Sequence, residues 1–259
     1  MSDDILMLAP PAYDERVVYG ADLNQFVDLR LPKQAAKKQP PKKTALVINI
    51  HGGFWRAKYD LQHAGHLCAA LTKQGLATAN LEYRRVGNDG GGWPGTFEDI
   101  RSGYRYLLQN AGRYNFDESR VLVMGHSAGG QLALCLAAHE ANLTRVVSLA
   151  GVVDLKGAYE LHLSNNAVVE FLHGTPSQVP DHYREADPVQ LAIRDARQVL
   201  IHGRADDIVP PDFGRSYADA KKHENVRLIQ IAGAGHFDLI DPRSAAWDQV
   251  EDAVKQLLV

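Results

Sequence analysis

The chain has 259 residues, of which 45% are hydrophobic, and its formal net charge at pH 7 is −3. This length and composition allow one large hydrophobic core, so we expect a single domain over residues 1–259. The near-neutral charge provides no long-range attraction to nucleic acid or to an anionic membrane surface, and neither is an expected partner.

The N-terminal segment, residues 1–11, begins with acidic residues and lacks the basic and apolar regions of a secretory signal. No apolar run in the chain approaches the ~20 residues that are needed to cross a bilayer. The two cysteines, Cys68 and Cys135, are far apart in sequence and lie in helix-like apolar patterns, as reduced core thiols do. Together these features predict a cytoplasmic protein.

Strand-like and helix-like patterns alternate through the first half of the chain. Helix-like periodicity occurs in residues 60–75 and 96–115, and the second of these begins with a threonine and acidic residues. Five lysines and two prolines fall in residues 33–43, which predicts a solvated loop. The predicted strands are residues 16–20, 25–32, 44–53 and 76–85.

The alternation continues in the second half, where one segment interrupts it. Residues 154–195 look irregular, are rich in His, Asn and Pro, and are longer than an ordinary connection, so we expect a small cap or lid there. Strands separated by helices predict an α/β protein whose mostly parallel, twisted sheet is covered by helices on both faces. The predicted strands are residues 121–124, 144–153, 196–203 and 226–233, and the predicted helices are residues 131–138, 211–223 and 244–259.

The motif Gly-His-Ser-Ala-Gly-Gly places Ser127 at the junction of the strand at 121–124 and the following helix. The neighbouring glycines, Gly125 and Gly129, allow a sharp, strained turn and a close approach of helix and strand. Such a turn lifts the serine hydroxyl out of the carboxyl edge of the sheet and aims the N–H of Ala128 at an incoming carbonyl oxygen. We therefore predict that Ser127 is a nucleophile.

A serine nucleophile needs a histidine as its base, and the histidine needs an acid that orients it. In folds of this type the acid and then the histidine follow the serine along the chain. His236 lies in a glycine-rich loop directly after the strand at 226–233 and is the expected base. The spacing His-Gly-x-x-Asp-x-x-Val-Pro favours Asp206 as the acid, with Asp207 as the second candidate and Asp154, one strand earlier, as the third.

The motif His-Gly-Gly-Phe-Trp at residues 51–55 follows an apolar strand, so its free backbone N–H groups are expected at the same sheet edge as Ser127. Gly52 and Gly53 permit a close approach of the backbone to a substrate. Donors that stabilise an oxyanion are commonly the largest single catalytic contribution. Nucleophile, base, acid and donors together predict a serine hydrolase that needs no metal and no cofactor.

With these motifs the chain resembles the α/β-hydrolase superfamily over nearly its whole length. Residues 51–55 are similar to the His-Gly-Gly-x-Trp motif of the animal and fungal type of kynurenine formamidase. That group neighbours the hormone-sensitive-lipase-like esterases, which usually carry a third glycine where Phe54 stands. The resemblance implies that the N–H groups of Gly53 and Phe54, together with that of Ala128, donate to the oxyanion. It also implies that Trp55 packs under the loop.

The substrate pocket is expected to draw on two further segments. Trp93 lies in a glycine-rich stretch, residues 87–95, that is expected at the mouth of the site. Phe171 and Leu172, in the irregular segment, are expected to line an acyl or aromatic pocket.

The histidines outside the motif loops receive no catalytic role. His126 is expected to point away from Ser127, because side chains alternate along a strand. His63 and His66 are three residues apart on a predicted helix but have no acidic partner, so we interpret them as surface or core residues and expect no metal site.

The leading functional hypothesis is a serine hydrolase that cleaves a small carboxylic ester or an aryl formamide through an acyl-enzyme. A prolyl-oligopeptidase-like peptidase is the alternative, because the motifs around Ser127 and Asp206 also suit those catalytic domains, although we expect no propeller domain that would gate peptides. A non-catalytic ligand receptor on the same fold is less expected, since such proteins usually lose the serine or the histidine.

Overall fold

A single sheet of eight strands runs through the computed structural model, which describes residues 2–33 and 42–258. Its strands are β1 Glu15–Val18, β2 Phe26–Arg30, β3 Thr44–Ile50, β4 Ala77–Leu81, β5 Phe116–His126, β6 Arg145–Leu149, β7 Arg197–Gly203 and β8 Val226–Ile231. Their order in the sheet is β1-β2-β4-β3-β5-β6-β7-β8. Strand β2 pairs antiparallel with β1 and β4, and the other pairs are parallel.

Helices cover the two faces of this sheet. The α-helices are α1 Gly65–Lys73, α2 Gly95–Gln109, α3 Ala111–Tyr114, α4 Ala128–His139, α5 Leu155–Glu160, α6 Leu163–Leu172, α7 Pro180–Ala186, α8 Asp212–Ala220 and α9 Trp247–Leu258. Short 3-10 helices in the described part of the chain are Ser2–Met7, Leu61–Ala64 and Phe237–Ile240. The predicted α/β architecture is confirmed.

The alternation of side chains along the strands divides the core into two layers. In β3, Leu46 and Ile48 face one layer, which also contains apolar residues of α2, α4 and α8. Ala45 and Val47 face the other layer, against α1, α9 and the helix Ser2–Met7. Because the central strands are buried on both faces, they read as continuous apolar runs in the sequence.

The segment 154–195 differs from the prediction of irregular structure. It contains three short helices, α5, α6 and α7, which make up the segment that we call the cap. Helices this short carry only one or two apolar positions per turn, so their periodicity is too brief to be recognised. The predicted loop at 33–43 lies largely outside the described residues, which omit 34–41.

The cysteines are buried and free, as expected for core thiols. Burial raises the pKa of Cys68 to about 12, and burial also raises that of Cys135. Within residues 2–33 and 42–258, no helix is long and apolar enough to span a membrane.

Candidate active site

The predicted motifs meet at the carboxyl edge of the sheet, where ligand sites of α/β folds occur. The loops after β3, β5, β7 and β8 converge there on a cavity of about 280 Å³. Its walls combine apolar side chains with three histidines and two serines. They are formed by Leu6, Gly53, Phe54, Tyr59, His63, His126, Ser127, Ser164, Ile208, His236 and Phe237.

Ser127 occupies a strained corner between β5 and α4. Its backbone has φ +57° and ψ −121°, and its N–H donates to the carbonyl oxygen of Leu149 at 2.8 Å. A Cβ at Gly129 would lie 2.1 Å from the Ile50 carbonyl oxygen, and one at Gly125 would lie 2.1 Å from the Gly129 carbonyl oxygen. Only glycine allows α4 to pack this closely, so the corner is held by backbone contacts on both sides.

His236 and Asp206 form the hydrogen-bonded pair that the spacing predicts. His236 Nδ1 lies 2.7 Å from Asp206 Oδ2, and both residues are buried. Asp206 Oδ1 accepts the N–H groups of Ile208 and Val209, each at 2.9 Å. Burial by itself would raise the pKa of Asp206, but the hydrogen bonds with His202 and His236 outweigh it and hold that pKa well below its ordinary value. An ionised Asp206 fixes the proton of His236 on Nδ1 and leaves Nε2 as the basic nitrogen.

The other two acid candidates lie elsewhere. Asp207 is exposed, and Asp154 caps α5 by accepting the N–H of Gly157 at 2.7 Å. The structure therefore brings Asp206 alone of the three to His236.

Ser127 and His236 line the same cavity without bonding directly. Within the described part of the chain, Ser127 Oγ makes no hydrogen bond. Such catalytic hydrogen bonds are often long in a free enzyme and tighten when substrate binds.

Two further histidines, His202 and His126, support the Asp206–His236 pair. His202 Nε2 lies 3.2 Å from Asp206 Oδ2 and 3.0 Å from the carbonyl oxygen of Val209, so its N–H is shared between them. His126 Nε2 donates to the carbonyl oxygen of His236 at 3.0 Å, and the two rings lie 4.5 Å apart. His126 thus braces the loop that carries His236. The motif spacing contained His202, but no local pattern shows that the His126 ring reaches a loop 110 residues away.

The loop after β3 carries three consecutive residues in the left-handed backbone region. Gly53, Phe54 and Trp55 have φ values of +110°, +48° and +58°. The N–H groups of Gly53 and Phe54 find no hydrogen-bond acceptor among the described residues. The N–H of Ala128 belongs to the first turn of α4 and has no partner within the helix. These are the three donors that the resemblance implies.

Buried side chains hold this strained loop in place. Trp55 is 1% exposed, donates from Nε1 to Gln131 Oε1 at 2.9 Å and stacks on Phe171 at 4.5 Å. His51 lies 3.0 Å from Glu82 through Nε2 and 2.8 Å from the Gly52 carbonyl oxygen through Nδ1. Strain of this kind persists only where the surroundings over-determine the backbone.

The substrate-pocket residues expected from the sequence lie behind the loop instead of in the cavity. Phe171 and Leu172 are 0% exposed and Trp93 is 5% exposed, and all three belong to the hydrophobic core. Trp93 stacks on Phe97 at 5.2 Å, and its N–H donates to the Phe171 carbonyl oxygen. Phe171 is buried in the core and does not line the cavity, because Trp55 stacks on it.

His63 is also placed differently from the expectation of a surface or core residue. It lies on the cavity wall, and its pKa is lowered to about 4, first by burial and then by the neighbouring His51. A neutral imidazole therefore faces the cavity. Among residues 2–33 and 42–258 there is no group of three or more His, Cys, Asp or Glu side chains that could hold a metal ion.

The sequence of this chain is similar to those of known esterases. The model of the BD-FAE family matches residues 27–220. Esterase LipC of Mycobacterium tuberculosis is 28% identical over 249 residues, which cover 87% of this chain and 60% of the relative. The probable isoprenylcysteine alpha-carbonyl methylesterase ICMEL2 of Arabidopsis thaliana is 24% identical over 272 residues, which cover 93% of this chain and 62% of the relative. The chain thus spans 60% and 62% of the lengths of these two relatives.

Solved structures show the same architecture. A truncated carbohydrate esterase from gut microbiota superposes with a TM-score of 0.78 at 23% identity, covering 96% of this chain and 99% of that one. Esterase B from Lactobacillus rhamnosis superposes with a TM-score of 0.77 at 20% identity, covering 98% and 91%. At these identities the likeness shows the fold, which is that of the α/β-hydrolases.

Proposed function

The chain belongs to the BD-FAE family, and from that premise we propose that it is a serine carboxylesterase that cleaves small, uncharged esters through an acyl-enzyme. The observation that carries the proposal is the arrangement around one cavity. Ser127, His236, Gly53 and Phe54 line it, His236 is hydrogen-bonded to Asp206, and the N–H groups of Gly53 and Phe54 have no acceptor among the described residues. A reacting carbonyl group can contact nucleophile, base and donors together only at such a point.

In the first half of the reaction, Ser127 Oγ attacks the ester carbonyl carbon and its proton passes to His236 Nε2. The carbonyl oxygen becomes an oxyanion, which accepts hydrogen bonds from the N–H groups of Gly53, Phe54 and Ala128. Asp206 keeps the Nδ1–H of the imidazolium in place. The tetrahedral intermediate then collapses, and His236 returns the proton to the departing alcohol.

In the second half, water attacks the acyl-Ser127 ester and gives a proton to His236. The oxyanion forms again at the same donors, and its collapse restores the serine hydroxyl and releases a carboxylic acid. Every proton in the cycle passes through His236.

The cavity favours a small, uncharged substrate. Its volume of about 280 Å³ lies near the lower limit of small-molecule pockets, and Phe54 lines it next to Gly53. Its walls carry no carboxylate and no ammonium or guanidinium group. The two relatives named above, which are called esterase and methylesterase, support an ester as the substrate.

An aryl formamide is the second candidate, and the loop after β3 favours it. The motif His51-Gly52-Gly53-Phe54-Trp55 carries phenylalanine where the lipase-like esterases usually have glycine. A formyl group is the smallest acyl group and fits under the Phe54 ring most easily. Both candidates use the same catalytic residues, so they differ only in substrate.

The proposal is tested with purified protein on p-nitrophenyl esters of rising length, N-formylkynurenine and aminoacyl anilides. We expect hydrolysis of acetyl esters, a fall of at least about 10⁴-fold in kcat for Ser127→Ala, and labelling of Ser127 alone by an organophosphonate. Ser177→Ala, which changes an exposed hydroxyl of the cap, is the matched control.

Labelling at another serine, or near-normal turnover by Ser127→Ala, would overturn the proposal. Cleavage of the anilides in preference to every ester would make the protein a peptidase instead.

A further inference from the structure

One side chain joins the loop after β3 to the cap. Arg56 forms a two-point ion pair with Glu170, in which Nε lies 2.8 Å from Oε2 and Nη2 lies 2.9 Å from Oε1. The same guanidinium donates to Ser164 twice, from Nη1 to the hydroxyl oxygen at 3.0 Å and from Nη2 to the carbonyl oxygen at 2.9 Å. Arg56 directly follows the strained residues that carry the oxyanion donors, so it ties the cap to this loop.

The segment that Arg56 holds is strained. Ser164, Asn165 and Asn166 have φ values of +48°, +55° and +59°, a left-handed turn at the start of α6. Asparagine tolerates this region, but serine adopts it less readily, and three such residues in succession are uncommon. The turn places Ser164 on the wall of the cavity that contains Ser127. Strain at a site wall is maintained where it serves binding or catalysis.

The O–H of Ser164 has no hydrogen-bond acceptor among the described residues. A hydroxyl offers one O–H and two lone pairs, and one lone pair accepts from Arg56 Nη1. Within the described part of the chain, Ser164 Oγ donates to no acceptor. The charge of Arg56 strengthens this contact and fixes the oxygen, so the remaining O–H is free to turn toward a ligand.

The surroundings indicate an uncharged partner for this O–H. Glu170 balances the charge of Arg56, and the neutral imidazole of His63 is another polar group of the cavity wall. The carbonyl oxygen of a bound ester is already occupied by the N–H groups of Gly53 and Phe54. Acceptors that an uncharged ester can offer away from the scissile group include hydroxyl and ether oxygens in its alcohol or acyl part.

We propose that Ser164 is a substrate-binding residue that donates a hydrogen bond to a hydroxyl or ether oxygen of the ester, away from the scissile carbonyl, and that Arg56 is its positioning residue. The proposal rests on the function proposed above and adds a specificity to it. Oxygen-bearing esters are then preferred to hydrocarbon esters of the same size.

The test compares glycerol monoacetate with propyl acetate, which share an acetyl group and a three-carbon alcohol but differ in two hydroxyl groups. We expect the ratio of kcat/KM for glycerol monoacetate to that for propyl acetate to fall about five- to tenfold in Ser164→Ala, because one hydrogen bond is lost. Ser177→Ala should leave this ratio as it is in the wild type. An unchanged ratio in Ser164→Ala would overturn the role of Ser164 alone, whereas failure of the wild type to cleave either acetate would overturn the proposed function as well.

Arg56→Met tests the positioning role. We expect the same fall in the ratio, carried mainly by a higher KM for glycerol monoacetate, because the lost contact is made in ground state and transition state alike. Arg56→Met combined with Ser164→Ala should fall no further than either single variant, within about twofold, because both remove one interaction.

The matched control is Arg184→Met, which breaks the Arg184–Asp181 ion pair on α7 without touching the cavity. A thermal unfolding curve for each variant verifies that the protein is folded. If Arg56→Met is unfolded, Glu170→Gln takes its place, because it removes the carboxylate partner of Arg56 and keeps the shape of the side chain. An equal loss of kcat on both acetates, or additive effects in the double variant, would overturn the positioning role.

Discussion

The two carboxylate oxygens of Asp206 have different hydrogen-bond partners. Oδ1 accepts the backbone N–H groups of Ile208 and Val209, and Oδ2 faces His236. In Asp206→Asn the amide oxygen keeps the backbone donors, so the amide NH₂ faces His236 Nδ1. The neutral imidazole must then carry its proton on Nε2. A protonated Nε2 can no longer accept the proton of the Ser127 hydroxyl group.

We therefore expect Asp206→Asn to lower kcat on p-nitrophenyl acetate by about 10⁴-fold. Asp207→Asn, at the exposed neighbouring position, is the control and should stay within about twofold of the wild type. Equal effects of the two substitutions would contradict the assignment of the acid.

Phe54 combines a side chain in the cavity with a backbone that residues other than glycine seldom adopt. Removing its ring should raise the ratio of kcat/KM for butyryl esters to that for acetyl esters by about ten- to two-hundred-fold. Phe54→Gly and Phe54→Ala both remove the ring, but only glycine also relieves the positive φ. A change shared by both variants belongs to the ring, whereas an unchanged preference in both would show that Phe54 does not limit the acyl group.

For single residues, the sequence indicates which side chains are candidates for catalysis better than it indicates where a side chain points. Ser127, Asp206 and His236 could be selected because glycines and strand ends surround them. Phe171 and Trp93 could not be placed, since an aromatic side chain in an irregular segment suits a core and a pocket equally well. Ser164 carries no local signal at all, because its contact with Arg56 spans 108 residues.

Among the elements, the sharp turn at Ser127 requires a close approach of α4 to the end of β3. A methyl group at Gly129 would lie 2.1 Å from the Ile50 carbonyl oxygen and 2.5 Å from that of His51, and neither backbone atom can move aside. We expect Gly129→Ala to lower the free energy of unfolding by more than about 3 kcal/mol, measured by urea denaturation. Gly112→Ala in α3, where a Cβ meets nothing within 4 Å, should be neutral or stabilising by up to about 1 kcal/mol. Similar results for the two glycines would contradict this account of the corner.

The cap contains a buried carboxyl group that makes its stability depend on pH. Asp187 accepts hydrogen bonds from the Leu155 N–H and from Gln190, but burial dominates and raises its pKa from 3.8 to about 6. Between about pH 4 and pH 6 the folded protein therefore binds a proton that the unfolded chain has released. The stabilisation is complete below about pH 4 and is lost as the pH rises through about 6.

Asp187→Asn cannot ionise and should lack this pH dependence. We expect the unfolding free energy of the wild type to fall relative to that of Asp187→Asn by about 2–3 kcal/mol between about pH 4 and pH 7. Asp181→Asn, on the exposed side of α7, controls for the loss of a carboxylate. Parallel pH curves for wild type and Asp187→Asn would contradict the prediction.

For the elements, prediction succeeded where burial is two-sided and failed where helices are short. Strands β3 and β7 are buried on both faces and were predicted within three residues of their ends, whereas the start of β5 was missed, because residues 117–120 are polar and partly or fully exposed. The cap helices and the helix Ser2–Met7 have too few turns for a periodic signal, so their helical state follows from packing that is not local in sequence.

At the scale of the whole molecule, the beginning of the chain reaches the site that the later strands build. Ile5 is 0% exposed and packs in the same core layer as Leu239 and Ile240, on the helix that follows His236. Leu6, its neighbour, lines the cavity. The sequence of residues 1–11 does not predict that this segment reaches the cavity, because a single buried isoleucine in an acidic segment forms no periodic pattern. The alternation of strands and helices predicted the sheet, but not which distant segments would close over its edge.

The lowered basicity of the histidines around the cavity has a consequence for how activity responds to acid. Burial, followed by the influence of His236 and His63, holds the pKa of His126 well below its ordinary value, and that of His63 lies at about 4. Asp206 likewise stays ionised. His126 and His63 therefore stay neutral on mild acidification from neutral pH, although both rings line the cavity. We expect the acidic limb of log kcat/KM against pH to fall with a slope of about one, as for a single titration, and not with the steeper slope of linked protonations.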